Sequence, residues 1–201
     1  MDFSKATILL TGGNSGIGRG LAEALAQRGS RLIITGRNEG TLKETLDANP
    51  GMTGYRLDVS DPAAIRDFAA MIIRQHPETN VVIHNAGIMV MEKIAADPVD
   101  TDAPERMVAT NLLGPIRLTA ALLPHLRSKP AATVVTVSSG LAFVPRADAP
   151  TYSATKAAIH SWTQSIRHEL RNTPVEVVEI APPLVATELT PGQSALPHAM
   201  P

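Results

Sequence analysis

The sequence predicts an α/β fold, a doubly wound parallel sheet of about six strands with helices on both faces. Short aliphatic runs alternate with helical patterns along nearly the whole chain, and this alternation is typical of a parallel sheet that helices cover on both sides. A glycine cluster joins the first run to the first helix. With 201 residues, of which 44% are hydrophobic, the chain suits one domain, 1–201, with a single core.

The strands are predicted from runs of valine, isoleucine and leucine, which suit strands that are buried on both faces. They cover 6–10, 31–35, 54–59, 80–87, 132–139 and 175–181. Between them, apolar residues recur at helical spacing. These helices cover 17–29, 38–49, 61–76, 103–126 and 153–171. Gly29 stops the first helix, whereas Asp61 caps the third and Pro62 takes its first position.

Composition excludes several classes of function. The formal charge of -1, from 18 basic and 19 acidic residues, predicts binding neither to nucleic acid nor to an anionic membrane surface. The absence of cysteine excludes disulfides, thiol nucleophiles and cysteine zinc sites. The six histidines lack the spacing of metal ligands, so we expect no catalytic metal. The first apolar run is too short for a signal or membrane segment, which predicts a cytoplasmic protein.

The glycine cluster "TGGNSGIG" follows the first strand and opens the first helix. Gly12 allows a tight turn, Gly16 lets backbone amides approach a pyrophosphate, and Gly18 lets the helix pack closely. This setting predicts a Rossmann-like dinucleotide site.

The spacing of this cluster resembles that of the short-chain dehydrogenase/reductase family, which carries T-G-x3-G-x-G in the same strand, turn and helix. The resemblance continues in order along the chain. It rests on Thr11 and the three glycines, Asp58 in "LDV", "NAG" at 85–87, Asn111, Ser139 at the end of "VSS", and the pair Tyr152 and Lys156. The interval from Ser139 to Tyr152 is also that of the family.

The end of the second strand indicates which dinucleotide binds. NAD enzymes place an acidic residue there for the ribose 2′-hydroxyl, but this chain has Gly36 followed by Arg37. Because arginine can hold a phosphate through two charge-assisted hydrogen bonds, NADP is preferred and NAD stays possible. Arg37 can alternatively be a solvated loop residue. Ser15 also departs from the basic residue that many NADP-dependent members carry before the second glycine.

The resemblance implies a longer set of cofactor contacts. Asp58 and Val59 would border the adenine, and 85–87 would line the ribose side. The implied cofactor-binding residues are Gly12, Asn14, Ser15, Gly16, Ile17, Gly18, Arg37, Asp58, Val59, Asn85, Ala86, Gly87, Tyr152, Lys156, Pro182, Val185 and Thr187.

The spacing of Tyr152 and Lys156 places a phenol and an ammonium one helical turn apart. A nearby positive charge favours phenolate and lowers the phenol pKa. The resemblance implies that Tyr152 is the general acid/base, that Lys156 lowers its pKa and holds the nicotinamide ribose, and that Ser139 hydrogen-bonds the substrate oxygen. It further implies that Asn111 holds a water beside the lysine. An alternative is that Asn111 only bonds backbone, and Ser138 is a weaker alternative to Ser139.

The match departs from the family near the C-terminus. Pro183 replaces the glycine that usually follows Pro182, and "PPLV" resembles a subgroup typified by DltE-type oxidoreductases. Family members usually continue into a helix pair and a seventh strand. Because five prolines fall between Pro182 and Pro201, we expect 183–201 to form a mobile substrate-loop segment. Because this sequence stops at Pro201, where family members continue, we expect no seventh strand and an open substrate side.

Two functions from different classes follow. The first is an NADP-dependent oxidoreductase that interconverts a carbonyl compound and an alcohol, acting on a small-molecule substrate. The second is a dinucleotide-binding or interaction protein with little turnover; a methyltransferase is a weaker third. The resemblance implies that small residues on the helix of Tyr152 pack against another subunit, which predicts a homodimer or homotetramer.

Overall fold

A computed structural model describes residues 3–95, 100–183 and 185. They form one six-stranded parallel sheet in the order β3-β2-β1-β4-β5-β6. The strands are β1 Thr7–Thr11, β2 Arg31–Gly36, β3 Thr53–Arg56, β4 Val81–His84, β5 Ala132–Val137 and β6 Val175–Ile180. The predicted fold class is confirmed, and the described residues contribute six strands to the sheet.

Six α-helices connect these strands within the described residues. They are α1 Gly16–Gln27, α2 Glu39–Ala48, α3 Pro62–Gln75, α4 Asp102–Val108, α5 Gly114–Arg127 and α6 Pro150–Glu169. Short 3-10 turns cover Phe3–Lys5, Gly140–Ala142 and Leu170–Asn172. Asp61 caps α3 by accepting hydrogen bonds from two backbone N–H groups, and Pro62 is its first residue, as predicted.

Each face of the sheet carries its own apolar cluster because side chains alternate along the strands. Leu9 in β1 lies on one side, and Ile8 and Leu10 lie on the other. The side of Leu9 packs on α3 and α5 through Ile65, Phe68, Ile72, Leu118, Leu122 and Leu126. The opposite side packs on α1 and α2 through Ala22, Leu25, Leu42 and Leu46. The sheet is therefore covered on both faces, as the aliphatic strands predict.

The strand order reverses between β1 and β4, which are neighbours although β2 and β3 lie between them in sequence. The chain leaves β1 for helices on one face and leaves β4 for helices on the other. A crevice forms outside the carboxyl ends of the strands at such a point. The fold therefore directs the loops after β1 and β4 to the same site.

One predicted helix boundary is wrong, and one predicted helix is continuous without being α-helical throughout. The predicted helix 103–126 contains a π-helical turn at Ala109–Leu113, where the N–H of Gly114 bonds the carbonyl of Ala109. Helix α6 begins at Pro150 rather than at residue 153, because proline suits the first turn, where its missing N–H has no helical partner to lose.

Strand β3 is shorter than the predicted strand 54–59. It ends at Arg56 because β2 ends at Gly36, whose carbonyl accepts its last bond from the N–H of Leu57. Leu57 and Val59 stay buried in the core beyond the strand. Their apolar character therefore marks burial and not strand extent.

The continuous helical stretch Asp102–Arg127 is long and apolar enough to cross a membrane by length and composition alone. Its buried side chains Leu118, Leu122 and Leu126 pack into the core beside the sheet. This is the arrangement of a core helix.

His84 is a buried titratable group in β4, and its Nε2 lies 2.7 Å from Thr119 Oγ1. Burial lowers the pKa of His84 from 6.5 to about 4. The unfolded chain therefore takes up this proton near pH 6.5, whereas the folded chain resists it down to pH 4. Stability is lost as pH falls through this window. We expect the free energy of unfolding to drop by about 2 kcal/mol between pH 7 and pH 5 through this residue.

Urea unfolding at pH 7 and pH 5 measures this loss. His84→Asn should remove most of the difference between the two pH values. Exposed His168 gives a matched control, and His168→Asn should keep the wild-type difference. An unchanged difference in His84→Asn would contradict the assignment.

Candidate active site

A cleft of about 640 Å³ opens at the carboxyl edge of the sheet. Among the predicted site residues, its walls include Gly12, Asn14, Ser15, Gly16, Ile17, Gly18, Arg37, Val59, Asn85, Ala86, Gly87, Ser139, Tyr152, Lys156, Pro182 and Val185. Asp58 and Asn111 are not wall residues, and Thr187 lies outside the described residues. Of the predicted segment 183–201, only Pro183 and Val185 are described.

The glycine turn depends on two positions that exclude a side chain. Gly12 has a φ of 68°, which favours glycine. A Cβ at Gly18 would lie 2.0 Å from the carbonyl oxygen of Gly12 and 2.3 Å from Asn85 Nδ2. Helix α1 therefore starts in direct contact with the turn itself, rather than only with the sheet.

Asn85 closes this turn from the β4 side. Its Nδ2 donates to the carbonyls of Thr11 and Gly12 at 3.1 and 3.0 Å. The Thr11 hydroxyl oxygen accepts the backbone N–H groups of Asn85 and Ala86 at 3.1 and 3.2 Å. These bonds join the loops after β1 and β4 into one wall of the cleft.

Asn14 and Arg37 border the cleft beside the end of β2. Asn14 Nδ2 donates to Thr41 Oγ1 at 2.6 Å, and Arg37 is exposed. Asp58 turns its carboxylate toward Ser60, accepting from its N–H and its hydroxyl at 2.9 and 2.7 Å. Burial raises the pKa of Asp58, but the bonds from Ser60 and the charges of Arg37 and Arg56 outweigh it, so that pKa lies below its ordinary value.

The structure brings Ser139, Tyr152 and Lys156 together. Both Ser139 and Tyr152 line the cleft, and the Ser139 hydroxyl acts to lower the pKa of the Tyr152 phenol. Because Ser139 Oγ also accepts the N–H of Leu141 at 3.1 Å, its own proton is available for the phenol. Lys156 Nζ lies 5.6 Å from the centre of the Tyr152 ring and donates to the carbonyl of Val137 at 2.8 Å.

Burial raises the pKa of Tyr152 in this structure, and the interaction with Ser139 partly opposes this. The Lys156 ammonium donates to the Val137 carbonyl, and its expected effect on the phenol stays a prediction. Burial also lowers the pKa of Lys156 to about 8.

Asn111 lies in the π-helical turn with both ends of its side chain engaged. Its Nδ2 donates to the Ile88 carbonyl at 2.9 Å and to Thr155 Oγ1 at 3.2 Å, and its Oδ1 accepts the Ile88 N–H at 2.9 Å. The side chain is thus hydrogen-bonded to the backbone of Ile88, the residue that follows Gly87. This matches the alternative of an asparagine that bonds backbone, here at the edge of the cleft.

Tertiary contacts distinguish the two neighbouring serines. Ser138 is 2% exposed, and its N–H donates to the Ile180 carbonyl at 2.8 Å. Ser139 follows the strand and reaches Tyr152. The next N–H, of Gly140, donates to the Pro182 carbonyl at 3.0 Å, which ties the loop after β6 to this side of the cleft.

Comparisons with known proteins agree with this geometry. The family model described as short chain dehydrogenase matches residues 6–196. The chain belongs to the short-chain dehydrogenase family. The uncharacterized oxidoreductase DltE of Bacillus subtilis (strain 168) is 40% identical over 191 residues, which cover 94% of this chain and 75% of that protein. The expected likeness to DltE-type oxidoreductases is confirmed.

Two solved structures share the fold of this short-chain dehydrogenase. One, from Burkholderia phymatum in complex with NAD, has a TM-score of 0.87 and 25% identity, covering 94% of this chain and 69% of that chain. The other, from Shigella flexneri and complexed with NADP, has a TM-score of 0.86 and 27% identity, covering 96% and 82%. Family membership makes this chain an oxidoreductase of the dehydrogenase/reductase class.

The cleft of this short-chain dehydrogenase fits a dinucleotide on the chemistry of its own residues. Ser15, the N-cap residue of α1, makes no side-chain capping bond, and the first turn carries no acidic residue. The N–H groups at this helix end therefore suit a pyrophosphate. Among the described residues, no group of three or more histidine, aspartate or glutamate side chains is arranged to hold a metal ion.

Sequence reasoning missed several walls of the cleft. They include Thr35, Asn38, Thr41, Leu57, Ile88, Met89, Thr110, Val137, Leu141 and Arg146. The apolar run "IMVM" directly after "NAG" was an available signal. Arg146 had no such signal, because its position depends on Asp148, which it contacts with two hydrogen bonds of 2.9 and 2.6 Å.

Glu92 is a further missed residue, and it caps the helix that carries Tyr152 and Lys156. Its carboxylate accepts the N–H and the hydroxyl of Thr151 at 2.8 and 2.7 Å. Ala149, the N-cap residue of α6, has no side chain that can cap. A loop distant in sequence therefore supplies the cap, and the negative charge suits a helix N-terminus.

We expect Glu92→Ala to lower the free energy of unfolding by about 1–2 kcal/mol, because two donors at the end of α6 lose their acceptor. Glu92→Gln should lose less, since its amide oxygen can still accept. Urea unfolding at pH 7 measures both. Exposed Glu44 gives the control Glu44→Ala, and an equal effect at the two positions would refute the capping role.

Proposed function

We propose that this chain is an NADP-dependent oxidoreductase that interconverts a carbonyl compound and an alcohol, with Tyr152 as general acid/base. The observation that supports this most is that Ser139, Tyr152 and Lys156 line the same cleft as the glycine turn, with Lys156 beside the Tyr152 ring. Such a group of side chains can bind a carbonyl oxygen and give it a proton.

The nicotinamide, when bound in its reduced form, supplies the hydride to the carbonyl carbon. Tyr152 donates its hydroxyl proton to the carbonyl oxygen, which becomes the alcohol. Ser139 can direct its hydroxyl at the same oxygen, because the Leu141 N–H already occupies its acceptor side. The reverse reaction needs Tyr152 as phenolate, which accepts the alcohol proton.

Lys156 assists by its charge. With a pKa of about 8 it is mostly protonated at pH 7, and a positive charge beside a phenol favours the phenolate that remains after proton donation. Asn111 positions this centre through the Ile88 backbone and Thr155, whose hydroxyl donates to the Tyr152 carbonyl at 2.7 Å. As a second role, we propose that Asn111 holds a water molecule beside Lys156.

The preference for NADP rests on the end of β2. Arg37 is exposed at the cleft, and its guanidinium can hold a 2′-phosphate bidentately. Gly36 offers no acidic group for a ribose 2′-hydroxyl. The small-molecule substrate, the homodimer or homotetramer and the cytoplasmic location stay predictions of the sequence.

A screen of aldehydes and ketones, followed by NADPH absorbance, tests the reaction. Turnover of at least one carbonyl compound is expected. If NADPH binds and no compound reacts, the binding-protein alternative holds instead.

Arg37→Ala tests the cofactor preference. We expect it to weaken NADPH binding by about tenfold or more, since a charge-assisted bidentate contact to phosphate is lost, and to change NADH binding little. Titration calorimetry with both dinucleotides measures this. Arg56 is exposed and is not a wall residue, so Arg56→Ala is the matched control. Equal losses of NADPH and NADH affinity would contradict a contact between Arg37 and the 2′-phosphate.

A further inference from the structure

Gly36 is a glycine whose backbone does not require one. It ends β2, pairs with Arg56, and is not among the described glycines with positive φ. An L-residue can therefore adopt its conformation. The obstacle is a neighbouring side chain, because a Cβ at this position would lie 2.4 Å from Asn14 Cγ, 2.4 Å from its Oδ1 and 2.8 Å from its Nδ2.

The Asn14 carboxamide is held where it blocks this space. Its Nδ2 donates to Thr41 Oγ1 at 2.6 Å. Its backbone carbonyl accepts the Thr45 hydroxyl at 3.3 Å, so α2 contacts Asn14 at two points. Movement of the carboxamide away from position 36 breaks the shorter bond. The three atoms nearest the added Cβ all belong to the carboxamide, and Asn14→Ala removes all three.

We infer that Asn14 and Gly36 form a coupled specificity pair for the dinucleotide, an inference that rests on the proposed function. The carboxamide occupies the volume that an acidic side chain at position 36 needs in order to reach a ribose 2′-hydroxyl. Asn14 thus excludes the NAD-type contact by volume, while Arg37 favours the phosphate by charge. A change at position 36 alone is therefore insufficient to create an acidic contact to the ribose 2′-hydroxyl, and both positions must change together.

The first experiment needs no cofactor. Gly36→Ala is made in the wild-type chain and in the Asn14→Ala chain, and the melting temperature of each protein is measured. In the wild-type chain we expect a loss of about 3 °C or more, because the carboxamide is displaced. In the Asn14→Ala chain we expect less than about half of that loss. Equal losses in the two chains would overturn the coupling.

The second experiment measures NADH and NADPH affinity by calorimetry in wild type, Gly36→Asp, Asn14→Ala and the double variant. Gly36→Asp alone should weaken NADPH and gain little NADH affinity. The double variant should bind NADH about fivefold or more tightly than the product of the single effects predicts. An additive result for NADH would overturn the proposal.

The two hypotheses fail in different places. A wild-type protein that does not prefer NADPH contradicts the proposed cofactor. The specificity pair is judged from NADH affinity in the variants and from the melting temperatures without cofactor, so additivity in either measurement overturns it whatever the wild type prefers.

Discussion

Tyr152→Phe is expected to lower kcat by about a thousandfold while the affinity for NADPH changes little. The substitution removes only the phenol oxygen, and general acid catalysis contributes about 10²–10⁴ to a rate. The ring stays, so its packing with Met107 and Ala149 is retained. Steady-state kinetics on any carbonyl substrate from the screen, with cofactor titration alongside, measures both quantities.

The chain contains a matched control, since it has only two tyrosines. The Tyr55 hydroxyl lies 2.7 Å from His76 Nε2, away from the cleft walls. Tyr55→Phe removes the same atom and should leave kcat within about twofold, as expected for a residue without contact to the reacting groups. If Tyr152→Phe retains a similar rate, the proton donor is another group.

Gly18→Ala is the second substitution from which we expect a large effect, here on stability and on dinucleotide affinity. The added methyl group would lie 2.0 Å from a backbone carbonyl that cannot rotate away, so the turn at Gly12 and the Asn85 side chain must both move. We expect a loss of about 3 kcal/mol in the free energy of unfolding. We also expect dinucleotide affinity to fall by about a hundredfold, because the backbone amides of the turn are displaced.

Gly20→Ala in the same helix should instead raise the free energy of unfolding. Beyond its chain neighbours and the backbone of its own helix, a Cβ at Gly20 meets no atom within 4 Å, and alanine is a better helix former than glycine by about 0.5–1 kcal/mol. Urea unfolding and NADPH titration compare the two variants. If Gly18→Ala is as stable as Gly20→Ala, close packing of the turn is refuted.

The pattern of local residues determined most of the fold and the position of the site. Aliphatic runs and helical spacing depend on nearest neighbours, so the six strands and their helices could be predicted with errors at their ends. Gly12 and the Tyr152/Lys156 spacing were equally readable, because a turn and a helical repeat act over a few residues.

Only the tertiary structure decided which groups meet across the chain. Glu92 caps Thr151 from a loop 59 residues away in sequence, and Asn111 binds Ile88 across 23 residues. The Ile180 carbonyl of β6 accepts the Ser138 N–H across the sheet. Each contact depends on the packing of separate elements, which spacing in sequence does not encode.

The sequence by itself determined a dinucleotide-type α/β domain with a tyrosine and a lysine at its site. The tertiary structure decided the balance of forces there. Burial disfavours the charged form of each side chain, so it raises the pKa of Tyr152 and lowers the pKa of Lys156. The Asn14 carboxamide occupies the space that a side chain at position 36 would need. The pKa shifts arise because packing removes solvent from the two side chains. The exclusion at position 36 arises because packing brings the Asn14 carboxamide next to Gly36, and neither effect exists before the chain folds.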